Sequence, residues 1–388
     1  MLVWVARTRR RVRAGLAQLV FVVVGLGAGL AVPLIARGPR VSSAHVIDTL
    51  LAIGLGLLGA VAVIFSLLFL VVQWVSTTFT PRLMLFRDDP IVWRTFGFAL
   101  GVAVFCVTAA LAIGKRLEVS AAVPVLAMLL VLVQVALLRT LQLRAFAAIQ
   151  LAPALSAIAA RGRKALDAVY PARGAVSPAR SPLPSPRMSV GWQHPPMVLQ
   201  RVEVDRLIET AAAADVVIVV RQSPGATLHR GSRVADIYGG TLPETRVLQG
   251  LIVGNERTFD QDPMLALRLL ADIALRALSS AVNDPATAVQ ALDELEDLLA
   301  SAAATRLDPL RLTDHNGVER LVVHLPGWEE FIRTGVDDIA CAVNSPMVVT
   351  GLRDMLRRVR DRADPERTEL IDRRLAWLDD RVAERNLP

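Results

Sequence analysis

Arg257, Asp262, Asp272, Arg276, Asn283 and Asp284 are the residues whose types and spacing come closest to a site, and all fall in the stretch GNERTFDQDPMLALRLLADIALRALSSAVNDPATAVQALDELEDLL, residues 254–299. Two chemistries fit them. Guanidiniums beside helix starts can gather an anion onto unpaired backbone amides. The same groups can instead cap the helices and pair with one another. Asp262-Pro263 and Asp284-Pro285 each read as a cap followed by a first-turn proline, so capping is the expected duty of both aspartates. Arg268, Asp272 and Arg276 stand four residues apart on one helix face, which leads us to expect Arg276 near Asp272 in a polar stripe at the helix junction. Arg257 and Arg276 would carry any ligand role, with Glu256, Asp260 and Gln261 nearby.

A second candidate is Ser66, Gln73 and Thr77, which share one face of an apolar helix and precede Thr80-Pro81-Arg82. They read either as a polar mouth lining a pore or groove, or as a wet helix end at the membrane interface. Other chemistry is thin. The five histidines lack metal-ligand spacing, the two cysteines, Cys106 and Cys341, make no framework, and there is no nucleophile elbow or phosphate-cradling glycine loop. No catalytic, cofactor-binding or metal-ligating residue is expected, no cofactor is implied, and the chain reads as a non-enzyme.

The elements around these residues divide the chain in two. Mean hydropathy is +0.46. Apolar runs long enough to cross about 30 Å of hydrocarbon suggest four membrane helices, at about 15–36, 48–74, 94–114 and 120–140, in a domain covering 1–145. Residues 1–187 hold 20 Lys+Arg against 5 Asp+Glu, whereas 188–388 hold 23 against 31, giving the net +7. The surplus positive charge thus flanks the apolar runs. Arg7 to Arg13, Arg82, Arg87, Arg94 and Arg139 to Lys164 mark inside segments, while Arg37, Arg40, Lys115 and Arg116 mark outside ones. Every loop puts both termini in the cytoplasm of a multi-pass inner-membrane protein. The acidic remainder lacks a basic stripe, so nucleic acid is not an expected partner. The lipid bilayer is, and a homo-oligomer is one option. Within the apolar runs no ionisable group lies at depth, which argues against ion-coupled transport. Gly25 and Gly29, and Ala52, Gly56 and Ala60, stand four residues apart and suit close helix packing, within one chain or between copies.

Residues 146–190 read as an amphipathic helix continuing the fourth apolar run, then a linker rich in proline, serine and arginine. From 191 to 388 an α+β domain is expected, strands first and helices last. Strands are expected at Val198–Val202, Val216–Val220 and Val247–Val253, with an Asp205-capped helix between the first two. PGATLHRGSRVADIYG resembles the glycine-turn hairpins of biotinyl and lipoyl modules, without any lysine to carry a prosthetic group. Asn316-Gly317 marks a further hairpin.

The segments NERTFDQDP, ALRLLADIALRALSSAVNDPATAVQALDEL and FSLLFLVVQWVSTTFTPRL resemble the bacterial membrane-protein family known as domain of unknown function 2254. The resemblance spans about residues 16 to 385 and implies a multi-helix membrane region followed by a soluble domain, with no assigned activity. The family pattern carries histidines after the last membrane helix, where this chain reads RTLQLRAF. Two functions follow as expectations. One is an oligomeric pore or transport-type protein gated by a cytosolic regulatory domain. The other is a membrane-anchored sensing or scaffolding protein whose soluble domain binds a ligand or partner.

Overall fold

The computed structural model describes residues 5–35, 39–78, 90–114, 116–170 and 185–384. They form two compact units, residues 2–150 and 151–388. The first is built from α1 (Val5–Ala31), β1 (Arg40–Ser42), α2 (Ser43–Thr78), α3 (Pro90–Ile113), β2 (Glu118–Ser120) and α4 (Ala122–Ile149). Among the described residues three helices are long and apolar enough to cross a membrane, at Ser43–Leu70, Ile91–Ile113 and Ala122–Phe146. The apolar segment Gln18–Leu34, which runs from α1 into the single turn after it, is shorter. Leu55, Leu67, Phe69, Leu70, Leu111 and Leu132 face outward, as lipid-contacting side chains must.

Small residues decide how this bundle closes. Gly25 leaves no room for a Cβ against the Gly101 carbonyl, and Gly29 none against Thr108. A Cβ on Gly101 would come within 2.6 Å of the Phe21 carbonyl oxygen. The order of these contacts makes α1 and α3 parallel, so the Gly25/Gly29 pair packs within the chain. Gly56 faces open space, and Ala52 and Ala60 are exposed. Val46 and Leu50 of α2, Val102, Phe105 and Ala109 of α3, and Val123 and Ala127 of α4 fill the core. At one end β1 and β2 pair antiparallel, Val41 opposite Val119, and Arg116 Nη1 donates to the Pro33 carbonyl at 2.8 Å.

The second unit opens with α5 (Leu151–Val169), β3 (Met188–Gly191), β4 (Met197–Val202), α6 (Val204–Ala213), β5 (Val217–Val220), β6 (Thr227–Leu228), β7 (Arg233–Tyr238), α7 (Glu244–Leu248) and β8 (Leu251–Gly254). It continues with α8 (Met264–Ala277), α9 (Pro285–Ala304), β9 (Leu310–Thr313), β10 (Glu319–Val323), α10 (Trp328–Ile332), α11 (Asp338–Ala342), α12 (Pro346–Arg362) and α13 (Pro365–Glu384). One sheet has five strands in the order β3-β7-β5-β10-β9, the other three in the order β6-β4-β8. β5 and β10 are parallel, with Val219 beside Val322, and the other pairs in the larger sheet are antiparallel. Alternation then sorts the side chains. Ile218, Val220, Ala235, Ile237, Leu321 and Val323 enter a core with Leu199, Leu207 and Leu251. Val219, Asp236, Tyr238 and Val322 take the opposite face.

Four sequence expectations change. β6 and β7 lie in different sheets, so the segment from Pro224 to Gly239 is not a paired hairpin. Val247–Val253 divides into the end of α7 and the start of β8. α6 begins at Val204, and its flanking residue Glu203 makes no side-chain cap. The amphipathic helix does not continue α4, because the chain turns extended at Gln150. Leu151–Val169 instead packs on α8 and α9, burying Leu155, Ile158, Leu166 and Val169. At Gly162 a Cβ would come 2.5 Å from Ala266 and 2.9 Å from Leu298. Residues 171–184 of the linker, together with Thr80, Pro81, Arg82 and Arg87, lie outside the described residues.

Candidate functional site

The loop before α8 is fastened at several positions. Asp262 is 1% exposed and takes Arg257 through both oxygens, from Nε at 2.6 Å and Nη2 at 2.8 Å. Its Oδ1 also accepts the Leu265 amide at 3.1 Å, the expected capping bond. Burial pushes the carboxyl above its ordinary range, opposed by Arg257 and the amides of Leu265 and Met264. Gly225, at φ +94°, lies so close that a Cβ there would strike the carboxylate. The Gln261 amide accepts from Val202 N at 2.8 Å and donates to Val202 O at 3.2 Å, standing in for a neighbouring strand. Gln200 donates to the Glu256 carbonyl at 2.6 Å, and the Arg161 guanidinium covers Phe259 at 5.6 Å.

The other sequence candidates do not gather around this pair. Asp272 binds Arg268 at 2.9 Å, and Arg268 also reaches Asp338 at 2.7 Å. Arg276 is exposed on the last turn of α8. Asn283 adopts φ +46° as the chain leaves α8. Asp284 caps α9, accepting Thr287 N at 3.1 Å and Thr287 Oγ1 at 2.6 Å, and those bonds hold its carboxyl below the usual range. In the first unit Ser66 is exposed and donates to its own helix at the Ala62 carbonyl, 3.0 Å away. Gln73 is also exposed, while the side chain of Thr77 lies outside the described residues.

A second constellation, which sequence reasoning missed, crosses the outer face of the five-stranded sheet. Its centre is Asp236 on β7, 0% exposed. Asp236 Oδ2 takes Arg221 Nε at 2.5 Å, and Oδ1 takes Arg233 Nε at 2.5 Å and Ser189 Oγ at 2.9 Å. Burial alone would raise this carboxyl; the bonds from Arg233, Arg221 and Ser189 outweigh it and hold the group below its ordinary range. Arg221 extends further, with Nη2 donating to Tyr238 Oη at 2.8 Å and Nη1 lying 3.1 Å from His324 Nε2. An arginine can only donate, so Nε2 accepts and the imidazole proton sits on Nδ1. Burial, followed by the charges of Arg221 and Arg311, lowers the His324 pKa and keeps the ring neutral. At the far edge Arg311 Nη1 donates to both Glu319 oxygens at 3.0 Å.

The residues follow the strand order. Ser189 comes from β3, Arg233, Asp236 and Tyr238 from β7, Arg221 from just after β5, His324 from just after β10, and Arg311 from β9. The available signal was positional. Arg221 and His324 each directly follow an apolar strand, and those two strands are parallel neighbours. Chemically the row offers guanidinium and imidazole N–H groups above an apolar floor of Val219 and Val322, 2% and 3% exposed. Among the described residues no group of three or more His, Cys, Asp or Glu could hold a metal ion.

Comparison with known proteins sets these sites in context. The chain belongs to the family described as Predicted membrane protein (DUF2254), whose model matches residues 13–358. Uncharacterized protein Mb1321c of Mycobacterium bovis and Uncharacterized protein Rv1290c of Mycobacterium tuberculosis are each 28% identical to it over 397 positions. Those alignments cover 92% of this chain and 74% of each relative. No solved structure matches the chain.

Proposed function

We propose, from its membership of a membrane-protein family, that this is a sensing protein anchored in the bacterial inner membrane, whose α+β unit receives a ligand on the cytoplasmic side. The observation that carries the reading is the row of outward-facing donors centred on Asp236, set on a rigid sheet with its own core. Four spans are part of the proposal. The close parallel packing of α1 against α3 supports α1 as the additional span, because neighbouring parallel helices cross in the same sense. The arginine asymmetry of the loops supports cytoplasmic termini. On this reading the partners are lipid and ligand, and the protein uses no cofactor, catalyses no reaction and does not bind nucleic acid.

One observation favours the pore reading. Ser66 and Gln73 are exposed on the side of α2 that also leaves Ala52, Gly56 and Ala60 open, so a second copy could meet that face. A pore would then need an oligomer. Liposomes carrying the purified full chain separate the two readings. Sensing expects them to remain ion-tight; sustained flux that falls in Ser66→Leu would overturn it in favour of the pore. The topology has its own check, in a Cys341→Ser background. An impermeant thiol reagent on intact cells should label Ser42→Cys and spare Gln200→Cys. The reverse pattern would invert the orientation.

A further inference from the structure

We propose that the row from Ser189 to Arg311 on the outer face of the five-stranded sheet is a binding site for a phosphoryl anion. This deepens the sensing reading by naming the chemical class of its ligand.

The row holds donors in excess of what the fold requires. Asp236 needs a cation because it is fully buried, and Arg221 with Ser189 already supplies one charge and two hydrogen bonds. Arg233 adds a second guanidinium through Nε, leaving its two Nη groups unbonded among the described residues and its side chain 51% exposed. Arg311 is likewise fixed through one nitrogen to Glu319, leaving Nε and Nη2. Three guanidiniums therefore answer two carboxylates. The Asp236 and Glu319 side chains lie underneath, 0% and 11% exposed, while those of Arg221, Arg233 and Arg311 are 34%, 51% and 29% exposed. The surplus charge faces outward. It does so in a stretch, residues 188–388, where acidic residues outnumber basic ones 31 to 23, so general basicity does not explain it.

The donors are also held together. Arg221 and Arg233 share one carboxylate, and His324 lies within the electrostatic reach of both Arg221 and Arg311. Arg233 and Arg311 are each anchored through one nitrogen and keep the others for a ligand, whereas Arg221 is engaged at all three by Asp236, Tyr238 and His324. Side chains already held in place lose little freedom on binding. The neutral His324 ring adds an N–H from Nδ1 without adding charge. Donors arriving from several strands suit a tetrahedral anion with three or more acceptor oxygens better than a planar carboxylate. Below them Val219 and Val322 exclude water, which strengthens each charge-assisted bond. The same phosphoryl chemistry could come from a soluble phosphomonoester or from a lipid headgroup.

The test uses the full chain in phosphatidylcholine nanodiscs, titrated calorimetrically with inorganic phosphate. Saturable binding is expected. It should weaken at least about tenfold in Arg233→Gln and in Arg311→Gln, as losing a charged hydrogen-bond pair implies, and stay unchanged in Arg206→Gln, on α6. Arg233→Lys, which keeps the charge but loses the fork, should bind with intermediate strength; this keeps the test informative should Arg233→Gln fold poorly. Nanodiscs containing phosphatidic acid identify the source. Loss of the phosphate signal there assigns the site to a lipid headgroup, and an unchanged signal assigns it to a soluble phosphate. Absent binding in phosphatidylcholine nanodiscs, binding unaffected by both row variants, or equal weakening by Arg206→Gln overturns the proposal. Ion-tight liposomes with no phosphate binding would remove this site but leave sensing intact, whereas ion flux alongside phosphate binding would do the opposite.

Discussion

Asp262 and Asp236 are both buried carboxylates held by arginine in the same unit, one at the start of α8 and the other on the outer face of the five-stranded sheet. Their surroundings differ in how donors and acceptors balance. At Asp262 one bidentate guanidinium and the first amides of α8 use the carboxylate, and Gly225 closes over it. Little remains for a ligand. At Asp236 two guanidiniums and a hydroxyl converge on one carboxylate, and Arg233 keeps both Nη groups unbonded among the described residues. A matched buried pair is structural, whereas a buried acid with surplus cations holds those cations ready for something else.

The strongest way to break this comparison is Arg257→Met. It strands Asp262 without its partner, and losing one member of a buried pair costs about 3–5 kcal/mol. Chemical denaturation should show that loss, and a cost under about 1 kcal/mol would mean Asp262 is not a structural pair. Gly225→Ala comes next. Its φ of +94° and the missing space beside Asp262 should together cost about 1–3 kcal/mol. If Gly225→Ala unfolds no more easily than the parent, the packing of that turn over the carboxylate is not as described.

The two aspartates should also answer pH with opposite sign. The Asp236 carboxyl is lowered in the folded state, so its contribution is present above the ordinary aspartate value of 3.8 and is lost as pH falls through the lower folded value. The advantage of the parent over Asp236→Asn should therefore grow as pH rises through that window. The Asp262 carboxyl is raised by burial, so its contribution is complete below 3.8 and is lost as pH rises through the folded value. For Asp262→Asn the parent's advantage should shrink as pH climbs from 3.8 through the raised folded value. Parallel curves for the two variants would remove the distinction. The smallest effect is expected from Arg276→Met, within about 0.5 kcal/mol, because its side chain is exposed. A cost of several kcal/mol in a melt would restore Arg276 to the core of the helix junction.

These contrasts follow what the sequence could and could not disclose. Asp262-Pro263 and Asp284-Pro285 were legible because a cap acts within four residues, and both aspartates do accept from the amides expected of them. The apolar seams of α8 and α9 were legible for the same local reason. Arg276 was misjudged because a stripe spaced by four specifies a face of the helix but not what covers it. The packing partners of Leu151–Val169 were not legible, because Ala266 and Leu298 lie more than a hundred residues from Gly162, which they meet. The Asp236 row was hidden more deeply. It draws on five strands whose order is non-sequential, so Arg221 and His324 become neighbours only once β5 and β10 pair.

One measurement bears most directly on the claim that the first aspartate is structural and the second presents a site. The full chain is melted with and without millimolar inorganic phosphate, as the parent, Arg257→Met and Arg233→Gln. A ligand that binds only the folded state raises its melting temperature. Arg257→Met should melt several degrees lower yet still gain from phosphate, and Arg233→Gln should melt near the parent and gain far less. An Arg233→Gln protein that melts far lower while keeping its phosphate-dependent rise would contradict the claim.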